Sequence, residues 1–350
     1  MILLTGGAGY IGSHVALALR QRGEPCVVLD NLSTGFREAV LGAPLVVGDT
    51  ADGALVADTL ARHGVDAVMH FAAHTVVPES VADPLKYYGN NTCATRNLLA
   101  ACRDAGVRHF VFSSTAAVYG MPASGCADEE TPTAPINPYG WSKLMSEQML
   151  RDLGAAAPMR HVILRYFNVA GCDSGGRIGQ ATPNATLLIK VACEHASGKR
   201  PELAIFGTDY PTPDGTCVRD YIHVEDLADA HLRALDHLRE GGPSATFNCG
   251  YGHGYSVREV IDAVATVSGQ RLNVVERPRR AGDPPELIAC SERLQQTLGW
   301  RPRHDDLRAI VASAYRWELK LKAAGAAAPG AAFAPPDRVV ASSLAPPAQG

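Results

Sequence analysis

The stretch Ile2-Leu3-Leu4-Thr5-Gly6-Gly7-Ala8-Gly9-Tyr10-Ile11-Gly12 decides the fold of this chain. A short apolar run bounded by glycine suits a strand buried on both faces of a parallel sheet, and residues 13–20 continue in helical period. Gly7, Gly9 and Gly12 fit Gly-x-Gly-x-x-Gly, while Gly6, Gly9 and Gly12 fit Gly-x-x-Gly-x-x-Gly. Either match alone is weak. Set between a strand and a helix, it turns backbone N–H groups and the positive helix end toward a pyrophosphate, and glycine leaves the close approach open.

The next apolar strand, Cys26-Val27-Val28-Leu29, ends at Asp30. A carboxylate there can accept hydrogen bonds from an adenosine ribose and would repel a 2′-phosphate, so NAD is favoured over NADP. Alternation continues with strands at 45–47 and 67–71, a helical run at 55–62, and strands at 111–113 and 162–166. This rhythm predicts an α/β fold: a doubly wound parallel (Rossmann) sheet over residues 1–170, with ligands at the carboxyl ends of its strands. Asp49, Phe71, Ala72, Ala73 and Thr115 fall at such ends, and Asn90 reads as the N-cap of a helix to residue 105. From 171 to 322 the pattern loosens into a second, smaller α/β substrate-binding lobe, with segments returning to the first domain. Residues 323–350, rich in Ala and Pro, read as a disordered tail.

At 350 residues there is ample volume for a buried core. A net charge of -4 argues against a nucleic-acid partner, and the one basic cluster, Arg277-Pro278-Arg279-Arg280, suits phosphate instead. The nine cysteines form no Cys-x-x-Cys pair and read as reduced, mostly buried thiols. The twelve histidines include no His-Glu-x-x-His, so no metal is expected. Without a signal peptide or an apolar run of about 18 residues, the chain reads as cytoplasmic, with no membrane association.

Tyr139-Gly140-Trp141-Ser142-Lys143 carries the chemistry. Residues four apart share a helix face, so phenol and ammonium can meet in one pocket. Tyrosine is a poor base at its ordinary pKa of about 10, and a fixed cation within roughly 4–6 Å favours the phenolate.

Strand, glycines, helix, Asp30, a hydroxyl at Thr115 and the Tyr139/Lys143 pair together resemble the extended short-chain dehydrogenase/reductase superfamily. Within it the chain is most similar to the UDP-glucose 4-epimerase family, through residues 5–14, 29–32, 139–144, 164–168, 203–207 and 218–224. The resemblance implies a UDP-sugar substrate whose 4-hydroxyl is oxidised to a ketone and reduced on the other face, with bound NAD regenerated each cycle. It assigns Tyr139 as base, Lys143 as its tuning cation and Thr115 as partner of the 4-oxygen. Cofactor contacts would come from Gly6, Gly9, Tyr10, Ile11, Gly12, Asp30, Asn31, Asp49, Phe71, Ala72, Ala73, Asn90, Tyr139, Lys143 and Phe167. Substrate contacts would come from Thr115, Asn168, Leu187, Leu188, Ala204, Phe206, Arg219, Arg280, Asp283 and Leu287. The resemblance also implies a homodimer through helices at 90–105 and 139–153.

Three departures stand out. Thr75 occupies a position where the family often has a lysine, and Thr115 replaces a serine. Leu287 replaces a bulky tyrosine, which suggests room for an N-acetyl group. Three alternatives remain. A pentose 4-epimerase acting on UDP-xylose and UDP-arabinose is not excluded. A dehydratase needs an acid and base where Ala116 and Ala117 stand. A non-catalytic NAD-binding regulator would not need the Tyr/Lys pair.

Overall fold

The computed structural model describes residues 1–280, 282–325 and 332–333. Seven parallel strands form the main sheet in the spatial order Ala245–Cys249, Arg160–Tyr166, His109–Thr115, Ala67–His70, Ile2–Thr5, Cys26–Asp30 and Leu45–Val47. The order of winding reverses between Ile2–Thr5 and Ala67–His70, and that switch point opens a crevice at the carboxyl ends. The period of two sorts the side chains: Ile2 and Leu4 enter one apolar layer and Leu3 the other. Helices Tyr10–Gln21 and Val224–Arg239 cover the first face, and Gly53–His63, Ala94–Asp104 and Pro138–Ala156 the second. Burying each large aliphatic side chain contributes about 1.5–3 kcal/mol.

The second layer of structure is built around Ile189, Ile205, Val260 and Ile310, where helices Leu188–Ala196, Val257–Ser268 and Leu307–Ala324 meet. Beside it lie a parallel pair, Leu203–Phe206 with Val274–Arg277, and a four-stranded sheet of Tyr255–Ser256, Val218–Arg219, Glu286–Ala289 and Cys126–Ala127. Two segments beyond residue 170, Val224–Arg239 and Ala245–Cys249, belong with the main sheet.

Three expectations change. Asn90 is not an N-cap: helix Pro84–Tyr87 runs through a π-helical turn, Tyr88–Cys93, into Ala94–Asp104, so Asn90 sits mid-helix and donates to Asn91 Oδ1. Cys126 and Cys290 are joined as a disulfide, because parallel pairing of Cys126–Ala127 with Glu286–Ala289 brings two residues far apart in sequence together. The remaining seven cysteines are free, all buried except Cys93. In the range read as a tail, the last helix extends to Ala324 and is capped by Gly325, and Ala332 and Phe333 are buried; residues 326–331 and 334–350 lie outside the described residues.

Candidate active site

The glycine turn fits its sequence reading. A methyl on Gly12 would lie 2.4 Å from the Gly6 carbonyl oxygen, and one on Gly6, at φ +70°, would lie 2.5 Å from the Ala72 nitrogen. Helix Tyr10–Gln21 starts at Gly9 with no side-chain cap and no acidic residue in its first turn. Its first-turn N–H groups and positive end are therefore available to an anion, the donor set a dinucleotide pyrophosphate needs. Asp30 follows on the neighbouring strand, its carboxylate accepting from the N–H groups of Ala8 (2.9 Å) and Leu32 (2.8 Å). Burial raises its pKa against those two bonds. Each oxygen keeps a lone pair for a ribose hydroxyl. Asn31 donates to Asp49 at 2.9 Å, tying the end of the neighbouring strand Leu45–Val47 to the same rim.

Helix Pro138–Ala156 begins under an Asn137 cap, whose side chain accepts from the Gly140 N–H, with proline in the first turn. It carries Tyr139, Lys143 and Glu147 down one buried face. Tyr139 faces Thr115, the last residue of strand His109–Thr115. Burial raises the phenol pKa and the Thr115 hydroxyl opposes the rise. Lys143 is 2 % exposed; its ammonium donates to the Ser113 carbonyl (2.9 Å) and lies 5.0 Å over the Phe112 ring. Burial lowers its pKa to about 7, opposed by the charge of Glu147. Spacing alone pointed this charge at the phenol. The structure directs it to the Ser113 carbonyl, because that strand end faces the helix.

Several residues escaped the sequence reading. Glu147 is fully buried and accepts from Arg165 through Nη2 (2.7 Å) and Nε (3.0 Å), from Arg151 (2.8 Å) and from the Ser114 hydroxyl. Asn91, beside the misassigned Asn90, braces the cleft by pairing with both backbone groups of His74 and donating to the Ser142 hydroxyl. The Tyr166 phenol is raised by burial first and by neighbouring Tyr139, with the Ser113 hydroxyl opposing the rise. Tyr87 meets the Tyr139 ring edge to face at 6.4 Å. The Glu147 signal was present as a carboxylate one turn past Lys143; the others had none above background.

Across the crevice, strand Leu203–Phe206 buries Leu203 and Ile205 while Ala204 and Phe206 stay half-buried on its other face. Arg280 lies over the Phe206 ring at 3.6 Å, so this phenylalanine is a platform rather than core. In the basic cluster Arg277 pairs with Glu202 and Arg279 with Asp209, which leaves Arg280 as the cation not matched to a carboxylate among the described residues. Arg219 reaches Asp283 at 3.7 Å and donates to the Val218 carbonyl. Leu187 precedes, and Leu188 opens, helix Leu188–Ala196, again without a side-chain cap. Leu287 is buried in an apolar cluster with Tyr119 and Phe167, and Asn168 opens the strand after Phe167. Phe71 contacts the His231 ring at 4.9 Å, while Thr75 is exposed.

One group of metal-ligand type converges among the described residues: His223, Glu225 and His304. Local bonding accounts for it. His223 Nδ1 accepts from the Glu225 N–H (3.2 Å) as a helix cap, and Glu225 accepts from Ser174 (3.0 Å).

A doubly wound sheet, an uncapped glycine turn and a buried Tyr/Lys pair define a nicotinamide-dinucleotide enzyme of the short-chain dehydrogenase/reductase type. Residues 2–250 match the NAD dependent epimerase/dehydratase family, and the chain belongs to that family. It is 60 % identical over 322 residues to the UDP-glucose 4-epimerase of Azospirillum brasilense, covering 92 % of each chain. The UDP-glucose 4-epimerase of Brucella ovis, solved in complex with NAD, is 44 % identical with a TM-score of 0.88, over 90 % of this chain and 97 % of that one. The UDP-Glc/GlcNAc 4-epimerase of Campylobacter jejuni is 50 % identical with a TM-score of 0.80, over 91 % and 99 %. Among the described residues, no helix is long and apolar enough to cross a membrane.

Proposed function

We propose that the chain inverts C4 of a UDP-hexose, interconverting UDP-glucose and UDP-galactose with NAD as resident cofactor. The observation that carries this is the Tyr139 phenol, facing Thr115 and one turn from Lys143, at the carboxyl ends of strands flanking the uncapped glycine turn. Bound there, NAD supplies a reversible hydride acceptor for the sugar carbon. Tyr139 takes the 4-hydroxyl proton as the C4–H bond breaks, leaving a 4-ketone, and returns it when the bond re-forms on the other face. Thr115 holds the 4-oxygen and hands the proton across. Lys143, held by the Ser113 carbonyl one turn along the same buried helix face, is the residue for the nicotinamide ribose.

The ketone must turn over while its nucleotide stays anchored. Ala204 and Phe206 form the uracil platform, Arg219 and Arg280 meet the diphosphate, Asp283 takes the uridine ribose, and the free N–H groups at Leu187 and Leu188 add phosphate donors. Asn168 reaches the sugar. Leu287 leaves room at the hexose for an N-acetyl group, so the N-acetylhexosamine pair is also a substrate. Trp141 and Met145, exposed on the outer face of helix Pro138–Ala156, support a homodimer through that helix and Ala94–Asp104.

The test is to incubate the purified protein with UDP-galactose and no added cofactor and to measure UDP-glucose. Turnover is expected, and a Leu287→Tyr variant is expected to lose the N-acetyl substrate selectively. A requirement for added NADP, or inactivity on every UDP-sugar, would refute the reading.

A further inference from the structure

Beyond the last helix, one aromatic side chain comes back to the cofactor cleft. Phe333 is 7 % exposed, and Ala332 beside it is 1 % exposed. The Phe333 ring lies 5.6 Å from that of Phe36 and 5.3 Å from that of Trp317. Both neighbours are anchored elsewhere. Phe36 donates its N–H to the Ala8 carbonyl at 3.1 Å, and a methyl on adjacent Gly35 would lie 2.7 Å from that oxygen, so this loop is seated on the glycine turn. Trp317 donates to the Gln180 carbonyl at 3.1 Å, and Gly179 rests on its face so closely that a methyl would lie 2.5 Å away. Phe333 therefore bridges Phe36, on a loop seated on the glycine turn, and Trp317, on the last helix, which in turn seats the Gly179–Gln180 loop.

Those two loops border a narrow cleft that reaches Gly9, Tyr10 and Ser13 at the start of helix Tyr10–Gln21, with Thr34 and Thr182 on its sides. No Lys or Arg is among the described residues lining it. A pyrophosphate beside this cleft is held by backbone N–H groups and by the closeness of the walls, not by an ion pair from this side. Wall integrity then governs release, and a rigid aromatic ring joins two loops at small cost in side-chain freedom.

We propose that Phe333 is a cofactor-retention residue: its ring ties the Thr34–Phe36 loop to Trp317, and through Trp317 to the Gly179–Thr182 loop, beside the pyrophosphate-binding turn. The inference rests on the NAD assignment made above. Breaking the clamp frees both loops to part, which speeds dissociation of the dinucleotide without touching the sugar nucleotide site.

The test uses the full chain carrying Phe333→Ala or Phe333→Tyr, loaded with NAD and transferred to cofactor-free buffer, with the released nucleotide followed over time. Phe333→Ala is expected to release NAD at least about tenfold faster, equivalent to about 1.4 kcal/mol. Phe333→Tyr, which keeps the ring, is expected to release at the native rate. Added NAD should restore turnover by Phe333→Ala at the native KM for UDP-galactose. Melting of the NAD-free variants is recorded alongside. A lower melting temperature with native release would mean that Phe333 only fills space, and would overturn the proposal. A native protein that retains no NAD at all would overturn the cofactor assignment and this inference with it, a result distinct from native retention by both variants.

Discussion

Replacing Glu147 by glutamine probes the charged layer beneath the Tyr/Lys pair. The carboxylate is fully buried, and Arg165, only 4 % exposed, grips it through two nitrogens at 2.7 and 3.0 Å. The amide in the Glu147→Gln variant would be nearly the same shape but uncharged, leaving the Arg165 guanidinium buried with an amide oxygen and the Tyr119 hydroxyl (3.0 Å) as partners and without its counter-charge. Breaking a buried pair from one side costs about 3–5 kcal/mol. Arg151 contributes little to this figure, since its side chain is 34 % exposed and its bond to Glu147 is screened by solvent. A domain's whole stability is about 5–15 kcal/mol, so the loss should be plain in chemical denaturation. Replacing both partners by apolar residues, Glu147→Leu with Arg165→Met, should recover much of it. A second signature lies in the pH profile. Glu147 opposes the burial that lowers Lys143 to about 7, so without it the lysine loses its proton at lower pH and the alkaline limb of activity shifts toward acid. Native stability together with an unmoved pH profile would refute the reasoning.

Tyr139→Phe should lower kcat by about 10²–10⁴-fold while bound NAD and the KM for UDP-galactose are preserved, because the change removes a proton carrier and little volume. Steady-state rates with an NAD assay check this, and a loss confined to KM would contradict it. Acid should destabilise the protein below about pH 6.5, the unfolded histidine value. Burial holds His14, His223 and His231 near 4 and His70 near 3, so over this window the unfolded chain binds more protons than the folded one. Stability is then complete above the unfolded value and falls as pH drops toward the folded values, by up to about 1.4 kcal/mol per pH unit for each group. Denaturation midpoints between neutral pH and pH 4 measure it; a flat profile would be the contrary result.

Much of this architecture was legible because local chemistry and global fold agree. Ile2–Thr5 needs burial on both faces, Gly12 needs to lack a side chain, and Tyr139 needs a helix start, which Asn137 and Pro138 supply. Where contacts are made across sequence, local signals pointed elsewhere. Asn90 carries the residue type of a cap, but continuous pairing from Pro84 onward makes Asn91 the buried brace. The Cys126–Cys290 bridge depends on a strand pairing across 164 residues, which no spacing rule encodes. Direction of the Lys143 ammonium depends on which carbonyl the neighbouring strand presents. The half-buried face of Phe206 and the guanidinium above it come from the strand period and from Arg280, which lies far along the chain. Phe333 sits in a composition typical of disorder, and only its packing against Phe36 and Trp317 sets it apart.

The account turns on one carbon: the bond broken at C4 is the bond re-formed there, inside a closed site. UDP-galactose labelled with deuterium at C4, turned over by the native protein in ordinary water, tests this most directly. Product UDP-glucose that keeps the deuterium at C4 is the predicted result. Exchange of that label with water would contradict it.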